Sequence, residues 1–205
     1  MNNPITLREL NALKKLAKQA KHDHPDLSHA QRLDLVARQH GHVRSFHELR
    51  QQLNHAIESH LDHRDDNVAY CKLCRYTFAT DVPGDKRLHE QHHELFEQAL
   101  LDLGDLPAAY TTREEIKSEG HARMSAGTPE DALAGAEMVV RGWFDRSLES
   151  AIGGKRWRQH PSYEQYAAMV AETITPLMPS GADLFLSKYG NTPGIILRGY
   201  TNWHG

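Results

Sequence analysis

Two cysteines and two histidines carry the clearest chemistry in this sequence. Cys71 and Cys74 are the only cysteines among 205 residues, and two residues separate them. Fourteen residues separate Cys74 from His89, and three more separate His89 from His93. A CxxC pair sets two sulfurs across a tight turn, while histidines four apart share one face of a helix. Two thiolates and two imidazoles are a complete tetrahedral set for Zn2+, and a four-ligand zinc is structural rather than catalytic. Neither cysteine would then be free to act as a nucleophile. His92 stands one position nearer His89 and is the alternative fourth ligand; the i, i+4 spacing favours His93. Phe78 and Leu88 are expected to form the small core beneath the ion. So short a segment has little else to make it rigid, so the metal should contribute folding free energy directly.

Residues 69 to 97, with this CxxC pair and these helical histidines, resemble the C2H2 zinc fingers. The resemblance implies a ββα unit around a structural zinc. In DNA-reading fingers, base contacts come from the start of the helix and from its third and sixth positions. Those places hold Val82, Asp85 and Leu88 here. None donates to guanine, and Asp85 repels phosphate. Lys86 occupies the family's usual leucine position, and the spacing is two residues longer than the commonest form. The finger therefore reads as structural or protein-binding. It is also similar to the finger that precedes the catalytic domain of cohesin acetyltransferases. No Arg/Gln-x-x-Gly-x-Gly/Ala loop follows, so acetyl transfer is not expected.

Helices must position these ligands and fill the rest of the chain. Leu7, Leu10, Leu13, Leu16, Ala17 and Ala20 recur at helical spacing over residues 5–21, with Lys14, Lys18 and Lys21 on another face. Ser28 is placed to cap a second helix through Leu33, Leu35, Val36 and Ala37, which Gly41 should stop. Ser45 is placed to cap a third, with Phe46, Leu49, Leu53 and Ile57 on its apolar side. The runs Leu27–Gly41 and Ser45–Leu49 resemble a small helical module called glyoxalase-related. That resemblance implies a bacterial origin, often on mobile elements, and brings no catalytic residue. Two helices meeting at Gly41 also suggest a helix-turn-helix. His40, His42 and Arg50 nevertheless stand where that motif buries apolar side chains.

The stretch His60–Asp66 reads as a polar connector, in which His60, His63, Asp65 and Asp66 form a second metal-capable cluster. Val68–Phe78 is hairpin-like, Pro83-Gly84 turns the chain, and residues 85–103 are helical up to Gly104. Beyond them, Thr112 with Glu115 fits a capping box. Thr128-Pro129-Glu130-Asp131 opens a long helix that Gly153-Gly154 closes. Ser162 with Gln165 opens another through Tyr166 and Ile174, ended by Pro176. Two strand candidates, 183–188 and 194–199, form a small hairpin. Lys155-Arg156-Trp157-Arg158 is a basic-aromatic patch suited to phosphate or a base. The neighbourhood of Arg156, Trp157 and His160 is the place for an active site, if the C-terminal region is catalytic.

Lys plus Arg number 24 against 27 Asp plus Glu, a formal charge of -3, which argues against DNA as a main partner. No secretory pattern or long apolar run occurs, so the expectation is a cytoplasmic protein with no membrane segment. The expected architecture is mainly α (α+β), in three parts. These are a three-helix module over 1–60, a ββα finger over 67–104, and a helical region with a small hairpin over 105–205. The expected function is that of an accessory or regulatory protein binding nucleic acid or a protein partner, its structural zinc held by Cys71, Cys74, His89 and His93. Lys14, Lys18, Lys21 and the 155–158 patch are the candidate contacts. The alternative is an enzyme with its active site in residues 106–205.

Overall fold

A computed structural model describes residues 5–40, 43–125 and 127–204. The chain divides into two compact units, Met1–Gln98 and Ala99–Gly205.

The first unit begins with α1 (Leu7–Gln19), α2 (His29–His40) and α3 (Phe46–Glu58). Each start is fixed by a side-chain cap. Thr6 and Glu9 form a reciprocal box, with Glu9 N donating to Thr6 Oγ1 at 3.2 Å and Thr6 N to Glu9 Oε2 at 2.8 Å. Ser28 and Gln31 repeat the arrangement. Ser45 Oγ accepts from Glu48 N at 3.2 Å. Leu10, Leu13 and Ala17 of α1 close on Val36 of α2 and Leu49 and Leu53 of α3 in one buried cluster. The expected stop at Gly41, and His42 beside it, lie outside the described residues. His40 and Arg50 are exposed.

Three strands follow: β1 (Leu61–Asp65), β2 (Val68–Cys71) and β3 (Thr77–Ala79), antiparallel in that order. The expected polar connector is therefore a strand, and the unit is βββα rather than ββα. Asp62 pairs with Tyr70 and His63 with Ala69, with an irregularity between His63 and Asp65. Asp62 to Asp65 expose their side chains, so the apolar alternation that signals a strand is missing. Helix α4 (Pro83–Leu103) is opened by Pro83 rather than preceded by it as a turn. It ends at Gly104, whose φ of +79° is the left-handed conformation of a helix stop.

The second unit is built on α5 (Tyr110–Met124) and α6 (Pro129–Gly153). Thr128 Oγ1 accepts from Asp131 N at 3.1 Å, and Gly154 caps the far end, as expected. The expected Thr112 box does not form. Ala109 is the cap residue of α5, with no side-chain bond, and Asp145 Oδ2 of α6 accepts Ala108 N at 3.1 Å instead. Ser162 and Gln165 do form their box. The helix they open breaks at Val170 into α7 (Tyr163–Met169) and α8 (Ala171–Ile174). The expected C-terminal hairpin is corrected as well: residues 182–189 form α9 (Ala182–Tyr189), and residues 194–199 run through turns. Phe185 and Tyr189, four apart, pack with their rings tilted and 4.9 Å between centroids, while Leu184 and Leu186 are partly exposed. That is a helical period. Positive φ at Gly194 and Gly199 removes the second strand.

Helices α5 and α6 touch backbone to backbone through glycines. A Cβ on Gly135 would lie 2.5 Å from Gly120 O and 2.7 Å from Met124 N, neither of which can swing aside. Gly135→Ala should lower the unfolding free energy of this unit by about 1–3 kcal/mol, measured by urea denaturation. An unchanged midpoint would contradict the close crossing.

Candidate metal centre

Cys71 ends β2, Cys74 sits in the turn after it, and His89 and His93 lie one turn apart on α4. Their ligand atoms fall within 4.8 Å of one another. A tetrahedron with bonds of about 2.0–2.3 Å has edges of roughly 3.3–3.8 Å, so closure by at most about 1.5 Å separates this group from a coordination shell. All four residues are buried, none more than 2% exposed. Cys71 Sγ is 3.3 Å from His93 Nδ1. His89 Nε2 is buried with no hydrogen-bond partner, a cost that a bound cation removes. The donor set therefore fits a metal ion.

The turn is shaped to present its sulfurs. Arg75 adopts a φ of +60°, and its N–H donates to Cys71 O at 2.7 Å. Cys71 N donates to Tyr76 O at 3.0 Å. The Cys71 thiol is pushed strongly down, chiefly by its bond from the Cys74 thiol, with help from His89, His93 and the Cys74 backbone against desolvation. Cys74 is pushed up, because it donates to Cys71 and is buried. A divalent cation would replace the thiol protons and hold both sulfurs as thiolates.

Phe78 lies face to face with the His89 ring, 4.1 Å between centroids, as a member of the expected core. Leu88 does not join it and is 54% exposed; Phe96 is buried in that role. His92 stands outside the ligand group, its ring 5.4 Å from Tyr76 and 4.8 Å from Phe96. Asp85 has a structural part that the sequence reading missed. Its carboxylate accepts from Ala79 N at 2.7 Å and from Tyr76 Oη at 3.4 Å, tying β3 to the first turn of α4. An acid in the first turn after a helix-opening proline was the available signal.

Among the described residues, no other set of three or more His, Cys, Asp or Glu side chains is placed to hold a metal. The expected cluster of His60, His63, Asp65 and Asp66 does not gather. His63 Nε2 meets Glu58 at 2.6 Å, and the His60 ring packs 5.8 Å from that of His93.

Lys14, Lys18 and Lys21 are all exposed, as a binding face requires. The 155–158 patch is different. Trp157 is buried and donates Nε1–H to Asp102 Oδ2 at 2.9 Å. Arg158 pairs with the same carboxylate at 2.7 Å and covers the indole at 4.5 Å, and Arg156 donates to His204 O. Lys155 is exposed, and so is Arg158 despite its pairing. The patch is part of the unit's own packing, not a stacking platform. His160 Nε2 lies 2.9 Å from Ser147 Oγ, but Ser147 has no exposed surface and also accepts Trp203 N at 3.0 Å. Burial lowers the His160 pKa, so the ring is held neutral. The pair anchors the C-terminal segment. It does not line the neighbouring cleft of about 570 Å3, where Gln159, Glu164 and Tyr189 are found.

Asp85→Ala should free the β3 amide and weaken metal affinity about tenfold, because a charge-assisted bond contributes on the order of 1.5–3 kcal/mol. Competition with a chromophoric chelator measures this, and an unchanged affinity would contradict the assignment. Comparison of the chain with protein-family models, curated proteins and solved structures finds no match.

Proposed function

We propose that this chain is a zinc-stabilised accessory or regulatory protein that works by binding, the zinc held by Cys71, Cys74, His89 and His93. The observation that carries this reading is the convergence of four buried Cys and His ligand atoms within 4.8 Å. Two thiolates and two imidazoles suit Zn2+ and exclude the oxygen-preferring Mg2+ and Ca2+. With four protein ligands, the ion keeps no open position for a substrate, so its contribution is rigidity.

The outer face of the finger supports a protein partner. Val82 and Leu88, at helix positions from which related fingers read bases, are exposed and apolar, and Asp85 between them is engaged inside the finger. The exposed Lys14, Lys18 and Lys21 support a nucleic-acid contact by the N-terminal helices. The resemblance of those helices to the glyoxalase-related module supports a bacterial origin on a mobile element.

Calorimetric titration of the metal-free chain should give one zinc per chain, and Cys71→Ser should abolish the tight phase. In that variant the helical signal of residues 105–205 should persist, which separates loss of the site from general misfolding. Unchanged zinc content would contradict the ligand set. Gel retardation of duplex DNA then distinguishes the partners. Binding that weakens with log salt at about 0.9 per phosphate neutralised, and is lost in the Lys14/Lys18/Lys21→Ala variant, identifies nucleic acid. Absence of any shift leaves the protein partner.

A further inference from the structure

We infer that metal binding at the Cys and His cluster fixes the docking of the three-helix module onto the finger, with Glu97 and His60 as the positioning residues. This rests on the metal reading above.

The first N–H groups of a helix have no partner within it. In α1, Glu9 N is satisfied by Thr6. Leu7 N is satisfied from ninety residues away, by Glu97 Oε2 of α4 at 3.3 Å. Glu97 is one helical turn past His93, so it follows any rotation of the ligand-bearing helix. Its negative charge also suits the positive end of the α1 dipole.

The opposite end of the module is tied at a second point. His60 follows Ser59, the cap residue of α3, and its carbonyl accepts Lys72 N at 2.8 Å, inside the CxxC turn. Its ring packs 5.8 Å from that of His93. Both ends of the module are thus held by groups next to the metal ligands.

The buried cluster of the module comes from α1, α2 and α3, with Leu10, Val36 and Leu53 at its centre. Phe78 packs on His89, and Phe96 lies further along the same helix. The two polar anchors join the module to the finger, and they can both close only if α4 holds one rotation relative to the CxxC turn. Four bonds to a single cation fix that rotation. Without the ion, His89 Nε2 is buried with no hydrogen-bond partner, and the rotation is held far less firmly. Because α1 also carries Lys14 and Lys18, with Lys21 in the turn that follows it, the metal state sets where those lysines are presented beside the finger.

Amide exchange by NMR on the full 15N-labelled chain tests this, with zinc stoichiometry measured on each sample. Removing zinc should speed exchange at Leu7 and Lys72 about tenfold or more, while Leu13, Ala37 and Leu53 keep their protection. Glu97→Ala, with zinc still bound one to one, should speed Leu7 and leave Lys72 unchanged. If β2 loses protection on zinc removal but Leu7 and Lys72 do not, docking is independent of the metal and the inference is overturned while the site stands. If Leu13, Ala37 and Leu53 open together with Leu7, the unit melts as one and the inference is likewise overturned. Failure to bind one zinc overturns the site reading and this inference together.

Discussion

A sheet whose strands have five, four and three residues needs an apolar face or a helix packed on it to be stable in water. Aromatic packing against its ligand cluster is given by Phe78 on His89. What this segment does have is four ligand side chains, two from the sheet and its turn and two from α4, brought to one point and removed from solvent. Burying a thiol pair and two imidazoles without a cation leaves His89 Nε2 with no hydrogen-bond partner. With a cation, the same groups become the strongest cross-link in the unit. The rest of the first unit is arranged around that point: Asp85 ties the sheet to α4, and Glu97 and His60 tie the helical module to both.

The second unit reaches rigidity by different means. Close backbone contact at Gly120 and Gly135 sets α5 against α6, and the resulting surface is sealed by buried polar groups. Ser147 joins His160 to the backbone of Trp203, and Asp145 supports Ala108 at the entry to α5 while pairing with Arg141 at 3.0 Å. Burial pushes the Asp145 carboxyl up, opposed by the hydrogen bond from Ala108 N and by the Arg141 guanidinium. Trp157 and Arg158 converge on Asp102 in the same way. Groups that look like reactive or binding chemistry along the chain are thus consumed in holding the segments between helices.

Local signals made much of this legible. Ser28, Ser45, Thr128-Pro129 and Ser162 with Gln165 each named a helix start, because a cap is a contact between residues three apart. The cluster of Cys71, Cys74, His89 and His93 was legible for the same reason, since a CxxC turn and an i, i+4 pair are short-range geometries. What was missed depends on distant partners. Strand β1 shows no alternation because its side chains face solvent, and only pairing with β2 makes it a strand. Leu88 has the right spacing for a core position, but α4 turns it outward and Phe96 inward. The run from Ala182 to Tyr189 is short enough to suit either period, and packing of Phe185 decides for helix. The 155–158 patch looks free until Asp102, more than fifty residues earlier, is brought beside it.

X-ray absorption at the zinc edge of the reconstituted chain addresses the central claim most directly. The account predicts a four-coordinate shell of two sulfurs at about 2.3 Å and two imidazole nitrogens at about 2.0–2.1 Å. A shell of oxygen and nitrogen without sulfur, or six-coordinate geometry, would contradict it.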